Sequence, residues 1–173
     1  MKTTNTPRTV SEGEGSLAGK YMTFKLSDEV YGLEILKVRE IIRVMEITRV
    51  PRTPDFMRGV INLRGKVIPV VDLRTKFGMP RGENTDQSVI IVVQCEVSGR
   101  ELTMGILVDQ VLEVLSIEEA QIEPPPPSLR ADGGDLDFVL GVGKTEDRVV
   151  FLLAIGRVLS ENDALAMAQS AAA

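Results

Sequence analysis

Apolar and polar residues alternate along most of this chain in short runs, which glycine, proline and charged residues separate. Alternation with a period of two is typical of a half-buried β-strand. Residues 35–50 also fit a strand, although Val38, Ile41, Val44 and Ile47 recur at a spacing that a helix would share. The runs predict strands at residues 21–26, from Val30 onward and through 35–50, at 89–97, and at 102–108 with more β-structure to Leu115. They predict hairpins at residues 60–71 and 138–155.

Turn chemistry predicts a few short helices between these strands. Residues 53–55 predict a helix with proline in its first turn, ending near Gly59. Residues 72–78 predict a helical turn that Gly78 closes. The remaining predicted elements are a hairpin turn at residues 64–66 and a short C-terminal helix at residues 161–173, which frays at its end.

The chain contains one β-rich unit twice. Residues 32–54 align with residues 105–127 at an offset of 73, and residues 59–77 align with residues 141–159 at an offset of 82, without gaps. Glycine and proline positions coincide along with apolar ones, which favours duplication over the loose likeness of two Val/Ile-rich strands. The difference between the offsets indicates a loop insertion in the second copy, around residues 129–136. The repeat predicts two small pseudo-twofold-related barrels.

The two copies differ at their polar positions. Apolar positions match because both copies must build a core, whereas specialised polar positions do not. We therefore expect the polar residues of the first copy to do much of the recognition. The first copy carries Asn62, Arg64, Gly65, Pro69, Asp72 and Arg74, where the second carries Lys144, Glu146, Asp147, Phe151, Ala154 and Gly156.

The composition predicts a cytoplasmic protein with a β-branched core. Apolar residues make up 43% of the chain and Trp is absent, so the core must consist mostly of Val, Ile and Leu. The longest apolar runs are too short to span a bilayer, and no secretory signal is evident. Residues 1–19 are polar enough to predict a disordered tail. The single cysteine fits a reducing cytoplasm, and Cys95 is expected to be buried and inert.

Charge is distributed unevenly along the chain. Residues 37–81 contain eleven Lys and Arg against four Asp and Glu, whereas residues 82–163 contain five against sixteen. A basic half and an acidic half can attract each other or two different partners, although many of these charges would simply be solvated.

The sequence offers few groups for catalysis. It has no histidine, which removes His-based nucleophile pairs, imidazole metal sites and a phosphoacceptor histidine. No phosphate-binding loop is present, and Asp132, Asp135 and Asp137 lack EF-hand spacing, so we expect neither a metal nor a cofactor. We predict a binding protein rather than an enzyme. An enzyme that uses Cys95 or a carboxylate is the less favoured alternative.

A further alternative is a small-barrel nucleic-acid-binding protein. Small β-barrels bind single strands through basic grooves and stacking aromatics. Here the basic region offers only Phe56 and Phe77, and the acidic half would repel phosphate, so this alternative is disfavoured. The arginines that suggest it are Arg39, Arg43, Arg49, Arg52, Arg58 and Arg64.

Two long strings of the first copy resemble the CheW coupling proteins of bacterial chemotaxis. These are YGLEILKVREII and RGVINLRGKVIPVVDLRTKFG, and the second copy matches with MGILVDQVLEVLSI, QIEP and LGVGKTEDRVVFLLAI. The resemblance covers roughly residues 20–160. The same domain ends the CheA kinase and is joined to a receiver in CheV proteins. The chain shows neither an ATP-binding domain nor a receiver, which favours the stand-alone adaptor.

The resemblance implies an all-β fold of two five-stranded SH3-like barrels packed about a hydrophobic groove. Residues 20–160 would form a single domain of two interleaved barrels, with repeat halves at about 21–80 and 87–159. It implies a non-enzymatic adaptor that couples the cytoplasmic hairpin tip of chemoreceptors to the regulatory domain of a CheA-type histidine kinase. The adaptor would be cytoplasmic, recruited to receptor arrays, and able to meet other CheW copies there.

The resemblance also assigns site residues. Arg64 at a hairpin turn can present a planar fork to a carboxylate or a carbonyl. Val38 and Val67 would supply an apolar patch if exposed, and are ordinary core if buried. For Gly59 the alternative to a contact role is that of a helix C-cap. Lys66 stands where such proteins often carry an aliphatic residue. The resemblance implies receptor contacts at Val38, Gly59 and Arg64, and kinase contacts at Glu40, Ile41 and Val67.

Overall fold

The computed structural model describes residues 17–80, 82–97, 99–125 and 138–158. The expectations for residues 1–16, for the 129–136 insertion and for the C-terminal helix lie outside these ranges.

Most of the described chain is β-structure, as the alternation predicts. The short helices in these ranges are α1 (Leu73–Lys76) and 3-10 turns at Ile35–Lys37, Glu119–Gln121 and Ile155–Arg157. The strands are β1 (Gly19–Leu26), β2 (Glu29–Glu34), β3 (Val38–Arg43), β4 (Met57–Leu63), β5 (Lys66–Asp72), β6 (Val89–Val97), β7 (Arg100–Val108), β8 (Gln110–Ile117), β9 (Ile122–Glu123), β10 (Val139–Lys144) and β11 (Val149–Leu153).

The first barrel is a five-stranded sheet in the order β3-β6-β7-β5-β4. The chain after β3 returns to the outer edge of β4, where Thr48 and Val60 exchange two backbone hydrogen bonds of 2.8 and 2.9 Å. These two bonds join the outer strands, so the sheet presents no long unpaired edge at this point.

The second barrel is a six-stranded sheet in the order β8-β1-β2-β11-β10-β9. The sixth strand is the two-residue β9, which pairs with β10. A 3-10 turn at Glu119–Gln121 connects β8 to β9, so the two outer strands of this sheet are consecutive in the chain.

The two copies of the repeat exchange hairpins. The β1–β2 hairpin of the first copy pairs with β8 and β11 of the second, while β6–β7 of the second copy pairs with β3 and β5 of the first. The parallel pairs have equivalent registers, because Val70 lies opposite Gly105 and Leu152 lies opposite Gly32. These four residues are related by the offsets of 73 and 82 read from the sequence. The backbone geometry therefore agrees with the duplication.

The buried apolar side chains of the described residues form three clusters. The largest combines buried side chains of both sheets, among them Phe24, Leu33, Val93 and Ile106, and thus joins the barrels. Burial of each such side chain stabilises the fold by roughly 1.5–3 kcal/mol. The cluster of the first barrel contains Ile61, Ile68, Val70, Ile90, Val92 and Leu107, and that of the second contains Tyr21, Ile117, Val150 and Leu152.

The helix predicted at residues 53–55 is wrong. The chain makes a turn there, in which Met57 N donates to Pro54 O at 3.0 Å, and β4 begins at Met57. Proline suits a turn as well as a helix start, and here closure of the barrel decides between them. The helical turn at residues 72–78 is confirmed as α1, with Gly78 at a φ of +79° after it.

We predict that Gly59→Ala destabilises the fold by about 3 kcal/mol, since overpacking and a strained φ combine. Gly59 has a φ of +144°, and an added Cβ would lie 2.1 Å from Thr48 O in the closing segment. Gly65→Ala is the matched control, because Gly65 has a φ of +87° and open space around it. The measurement is urea unfolding of both variants. Equal losses in the two would show that the closing contact does not require glycine.

Candidate interaction site

The residues predicted to meet partners lie on β3 and on the β4–β5 hairpin of the first barrel. Side chains of β3 alternate, with Val38, Glu40 and Ile42 partly buried and Ile41 exposed. This is the pattern expected of a strand with one face on a core and one towards solvent.

The turn of the β4–β5 hairpin holds Arg64 in a specific position. Arg64 and Gly65 have φ values of +54° and +87°, as in the two-residue hairpin turns that match strand twist. Asn62 Oδ1 accepts a hydrogen bond from Gly65 N at 2.8 Å. A left-handed conformation costs a non-glycine residue about 1 kcal/mol. The predicted hairpin turn is confirmed, with Arg64 itself at the first left-handed position.

Arg64 forms a bidentate ion pair with Glu40. Its Nη1 lies 2.9 Å from Glu40 Oε2, and its Nη2 lies 2.7 Å from Glu40 Oε1. The hydrogen bonds, together with the charge of the guanidinium, hold the pKa of Glu40 below its ordinary value. The pair connects the end of β4 to β3, the two outer strands of the first barrel. Glu40, predicted to contact the kinase, and Arg64, predicted to contact the receptor, therefore form one structural unit.

Ile41 and Val67, which lie close to Glu40 and Arg64 in the sequence, are exposed. Their exposed fractions are 41% and 43%, which is high for branched apolar side chains. We call Glu40, Ile41, Arg64 and Val67 the first face. It combines apolar surface with a planar charged pair, a composition typical of protein–protein contacts.

Val38 and Gly59 differ from the first face in burial. Val38 is half-buried and packs against the core cluster that joins the barrels. Gly59 is buried and lies against Thr48 of the closing segment. Sequence alone could not distinguish these positions from exposed ones.

A second face was missed by sequence reasoning. Val114 and Val149 are exposed on the second barrel, at 47% and 46%. They are the repeat counterparts of Ile41 and Val67 at the offsets of 73 and 82. The ion pair is not repeated, because its counterparts are two exposed carboxylates, Glu113 and Glu146. We call these four residues, Glu113, Val114, Glu146 and Val149, the second face. The alignment of the two copies contained this signal.

Leu36 is a further exposed apolar residue that the sequence did not single out. It is 88% exposed on the 3-10 turn between β2 and β3, two positions before Val38. A branched apolar side chain so far into solvent is suited to contact a partner.

Asp72 and Arg74 flank the predicted helical turn, and the sequence favours a cap for Asp72 and a surface charge for Arg74; both make specific contacts. The cap is confirmed, since Asp72 Oδ1 accepts a hydrogen bond from Arg74 N at 3.0 Å. The surface interpretation of Arg74 is wrong. Its Nε and Nη2 donate to Asp109 at 2.9 and 2.7 Å, a partner 35 residues away in the chain.

Asp109 is a site that the sequence did not indicate. Burial alone would raise the pKa of this carboxyl, but the hydrogen bonds from Arg74 and from Ser27 N hold the pKa below its ordinary value. The ionised carboxylate of Asp109 is therefore favoured at neutral pH.

The described residues show few groups suited to catalysis. Cys95 is buried, and burial raises the pKa of its thiol to about 11, which disfavours the nucleophilic thiolate. In the described ranges no three Cys, Asp or Glu side chains come together in a way that could hold a metal. The acidic loop with Asp132, Asp135 and Asp137 lies outside those ranges. The described helices are all too short or too polar to cross a bilayer.

Comparison with known proteins identifies the family. The CheW-like domain matches residues 20–163. The chain belongs to the CheW family. It is 36% identical over 156 residues to the chemotaxis protein CheW of Klebsiella aerogenes, covering 90% of both chains. It is 33% identical over 143 residues to that of Helicobacter pylori, covering 83% of this chain and 82% of the relative.

A solved CheW structure shares the fold. The scaffolding protein TtCheW of Thermoanaerobacter tengcongensis superposes with a TM-score of 0.72 at 39% identity, over 85% of this chain and 96% of that one. The double-barrel fold and the family resemblance predicted from sequence are confirmed. CheW proteins are non-enzymatic scaffolds, in agreement with the prediction of a binding protein.

The nucleic-acid alternative gains no support from these relatives. Some of the arginines that suggested it are paired with carboxylates. Arg58 pairs with Asp72 at 3.1 Å and Arg64 pairs with Glu40, so carboxylates neutralise two of them. A phosphate backbone would have to displace these partners.

We predict that Cys95 of the folded protein resists alkylation at pH 8. With a pKa of about 11 the thiolate fraction would be on the order of one in a thousand, and burial blocks access as well. The measurement is the mass of the intact protein after brief iodoacetamide treatment. Protein unfolded in urea, the control, should be modified fully. Rapid full modification of the folded protein would instead indicate a reactive thiol.

Proposed function

We propose that this protein is a non-enzymatic chemotaxis adaptor, which couples chemoreceptors to a CheA-type histidine kinase and regulates that kinase. The observation that carries the proposal is the first face, displayed on a CheW scaffold: two exposed apolar side chains on strands β3 and β5, which the bidentate Arg64–Glu40 pair connects at the hairpin turn. The adaptor would act in the cytoplasm and be recruited to receptor arrays.

The first face supports a contact with the regulatory domain of the kinase. Ile41 and Val67 offer exposed apolar area that water solvates poorly. The ion pair with Glu40 fixes the orientation of the Arg64 guanidinium. Apolar anchors at the centre of an interface with oriented charges around them are the usual arrangement in specific complexes. We assign Glu40, Ile41 and Val67 to this contact.

Receptor contacts at Val38, Gly59 and Arg64 would involve three different physical roles. Arg64 has a side chain that is 69% exposed, so its guanidinium can exchange Glu40 for a partner carboxylate or carbonyl. Val38 is half-buried next to Leu36, and the two would extend an apolar contact onto the 3-10 turn. Gly59 would act through the backbone, because any side chain there displaces the segment at Thr48.

Contacts between copies of the adaptor have support in the two faces. The exposed charges that flank Ile41 and Val67 in the sequence include Arg39, Arg43 and Lys66, whereas the second face carries Glu113 and Glu146. A first face placed on the second face of the next copy would match apolar pairs and opposite charges. Such head-to-tail contacts close into rings or extend as filaments.

The adaptor proposal predicts that Arg64→Asp abolishes most receptor-dependent kinase activation. Aspartate beside Glu40 places two like charges at the turn and removes the fork. We expect a loss of at least about tenfold, as for a hot-spot residue. The measurement is phosphorylation of the kinase in the presence of receptor-containing membranes and each variant. Arg100→Asp, at an exposed position of β7, is the control. Full activation by Arg64→Asp would contradict its role.

The two assigned contacts can be separated by binding to isolated partners. Ile41→Ser and Val67→Ser should weaken binding of the kinase regulatory domain about tenfold each, since apolar anchors are lost. Val114→Ser, the repeat counterpart of Ile41→Ser, is the matched control for loss of an exposed apolar group. The measurement is calorimetric titration. Equal affinities for all variants would place the kinase contact elsewhere.

The contact between copies predicts association that weakens with salt. Glu113→Lys with Glu146→Lys should reduce self-association at low ionic strength, because both substitutions place positive charge opposite the basic first face. Sedimentation velocity at increasing protein concentration measures this association. Association that is equal in both proteins and insensitive to salt would argue against the head-to-tail arrangement.

A further inference from the structure

An ionic junction links the strands that carry the two faces. Arg74 lies two residues after β5, the strand of Val67, and Asp109 immediately precedes β8, the strand of Val114. Arg74 Nε lies 2.9 Å from Asp109 Oδ1, and Arg74 Nη2 lies 2.7 Å from Asp109 Oδ2. Two parallel hydrogen bonds fix the orientation of the guanidinium relative to the carboxylate as well as the distance between them.

Each partner of this pair is also held by its own barrel surroundings. Asp109 Oδ2 accepts a hydrogen bond from Ser27 N at 2.7 Å, and Asp109 N donates to Lys25 O at 3.1 Å. These bonds attach Asp109 to the β1–β2 hairpin of the second barrel. The pair therefore spans the boundary between the barrels.

The guanidinium of Arg74 is restrained on its other side as well. Arg74 Nη1 donates to Pro80 O at 2.9 Å. A Cβ added at Gly82 would lie 3.0 Å from Arg74 Cζ, so the loop between the copies packs directly on the guanidinium. The side chain of Arg74 is 21% exposed against 69% for Arg64, so this arginine is the better shielded of the two, while the carboxylates of the two pairs are equally exposed.

The pseudo-twofold counterpart of the junction lacks these contacts. Its equivalents are Gly156 for Arg74, Leu36 for Asp109 and Glu96 for Ser27. Gly156 carries no side chain that could span the boundary. An added Cβ at this position would lie 2.6 Å from Glu96 O, so the two backbones approach closely there. A cleft of about 480 Å³ that includes Leu36 and Glu96 lies on this side. The Arg74–Asp109 fork therefore has no equivalent at Gly156 and Leu36, its repeat counterparts among the described residues.

We propose that Arg74 and Asp109 are positioning residues, which set the angle between the two barrels and hence between the first and second faces. The inference rests on the proposed adaptor function in one respect: both faces must be engaged at once for the angle to matter. An adaptor held at two faces benefits from rigid spacing, because assembly then costs less conformational freedom.

The first experiment measures the angle without any partner. Spin labels are placed at Thr103→Cys on the first barrel and Ser116→Cys on the second, both exposed positions, in a Cys95→Ala background. Pulsed electron paramagnetic resonance gives the distance distribution between the labels. Asp109→Asn and Arg74→Lys should broaden the distribution at least twofold, with Arg74→Lys the milder because one hydrogen bond remains possible. Asp86→Asn, at an exposed turn, should leave it unchanged.

The second experiment separates positioning from mere stability. Asp109→Asn and Arg74→Lys should bind the kinase regulatory domain, through the first face alone, with a Kd within twofold of the unsubstituted protein. Incorporation of the same variants into assemblies of receptor and kinase should fall at least fivefold, because assembly uses both faces.

Two results would overturn the inference. Superimposable distance distributions in all variants would show that the pair does not set the angle. A parallel loss of single-partner binding and assembly would show that the pair only maintains the fold. If the unsubstituted protein itself fails to bind the kinase domain, the proposed function fails, while the distance measurement still decides the role of the junction.

Discussion

Neither copy of the repeat completes a sheet from its own strands, and the rest of the structure depends on this constraint. The β1–β2 hairpin finds its parallel partner β11 in the second copy, and β5 finds its parallel partner β7 there too. Separating the two copies would break both ladders, and separating the two barrels would expose the core cluster that joins them. Two small barrels, each marginal alone, therefore fold as one cooperative unit.

Duplication also explains why the molecule carries its exposed apolar pair twice. The positions of Ile41 and Val67 reappear as Val114 and Val149, all exposed to a similar degree. The charged positions diverged, from Arg64 and Glu40 to two carboxylates. Equivalent positions thus carry an ion pair in one copy and two carboxylates in the other, a difference of the kind by which charge complementarity can distinguish partners.

Sequence reasoning predicted the elements that depend on local pattern and failed where distant contacts decide. The repeat, the hairpin turn at Arg64 and the cap at Asp72 follow from spacing and turn chemistry. The false helix at residues 53–55 arose because a proline turn and a helix start share local signals, and only the Thr48–Val60 closure distinguishes them. Burial could not be read for Val38 or Gly59, since strand alternation does not say which face meets the second barrel.

The turn at Arg64 is not explained by a contribution to stability. A left-handed φ at a non-glycine residue costs about 1 kcal/mol, and glycine would adopt it freely. The ion pair with Glu40 returns little stability, because its arginine is 69% exposed and solvent screens it. By contrast, the shielded Arg74–Asp109 pair lies where it can hold structure. An oriented, exposed guanidinium held at a conformational cost is suited to a partner that supplies its own carboxylate or carbonyl, which is the kind of contact proposed for Arg64.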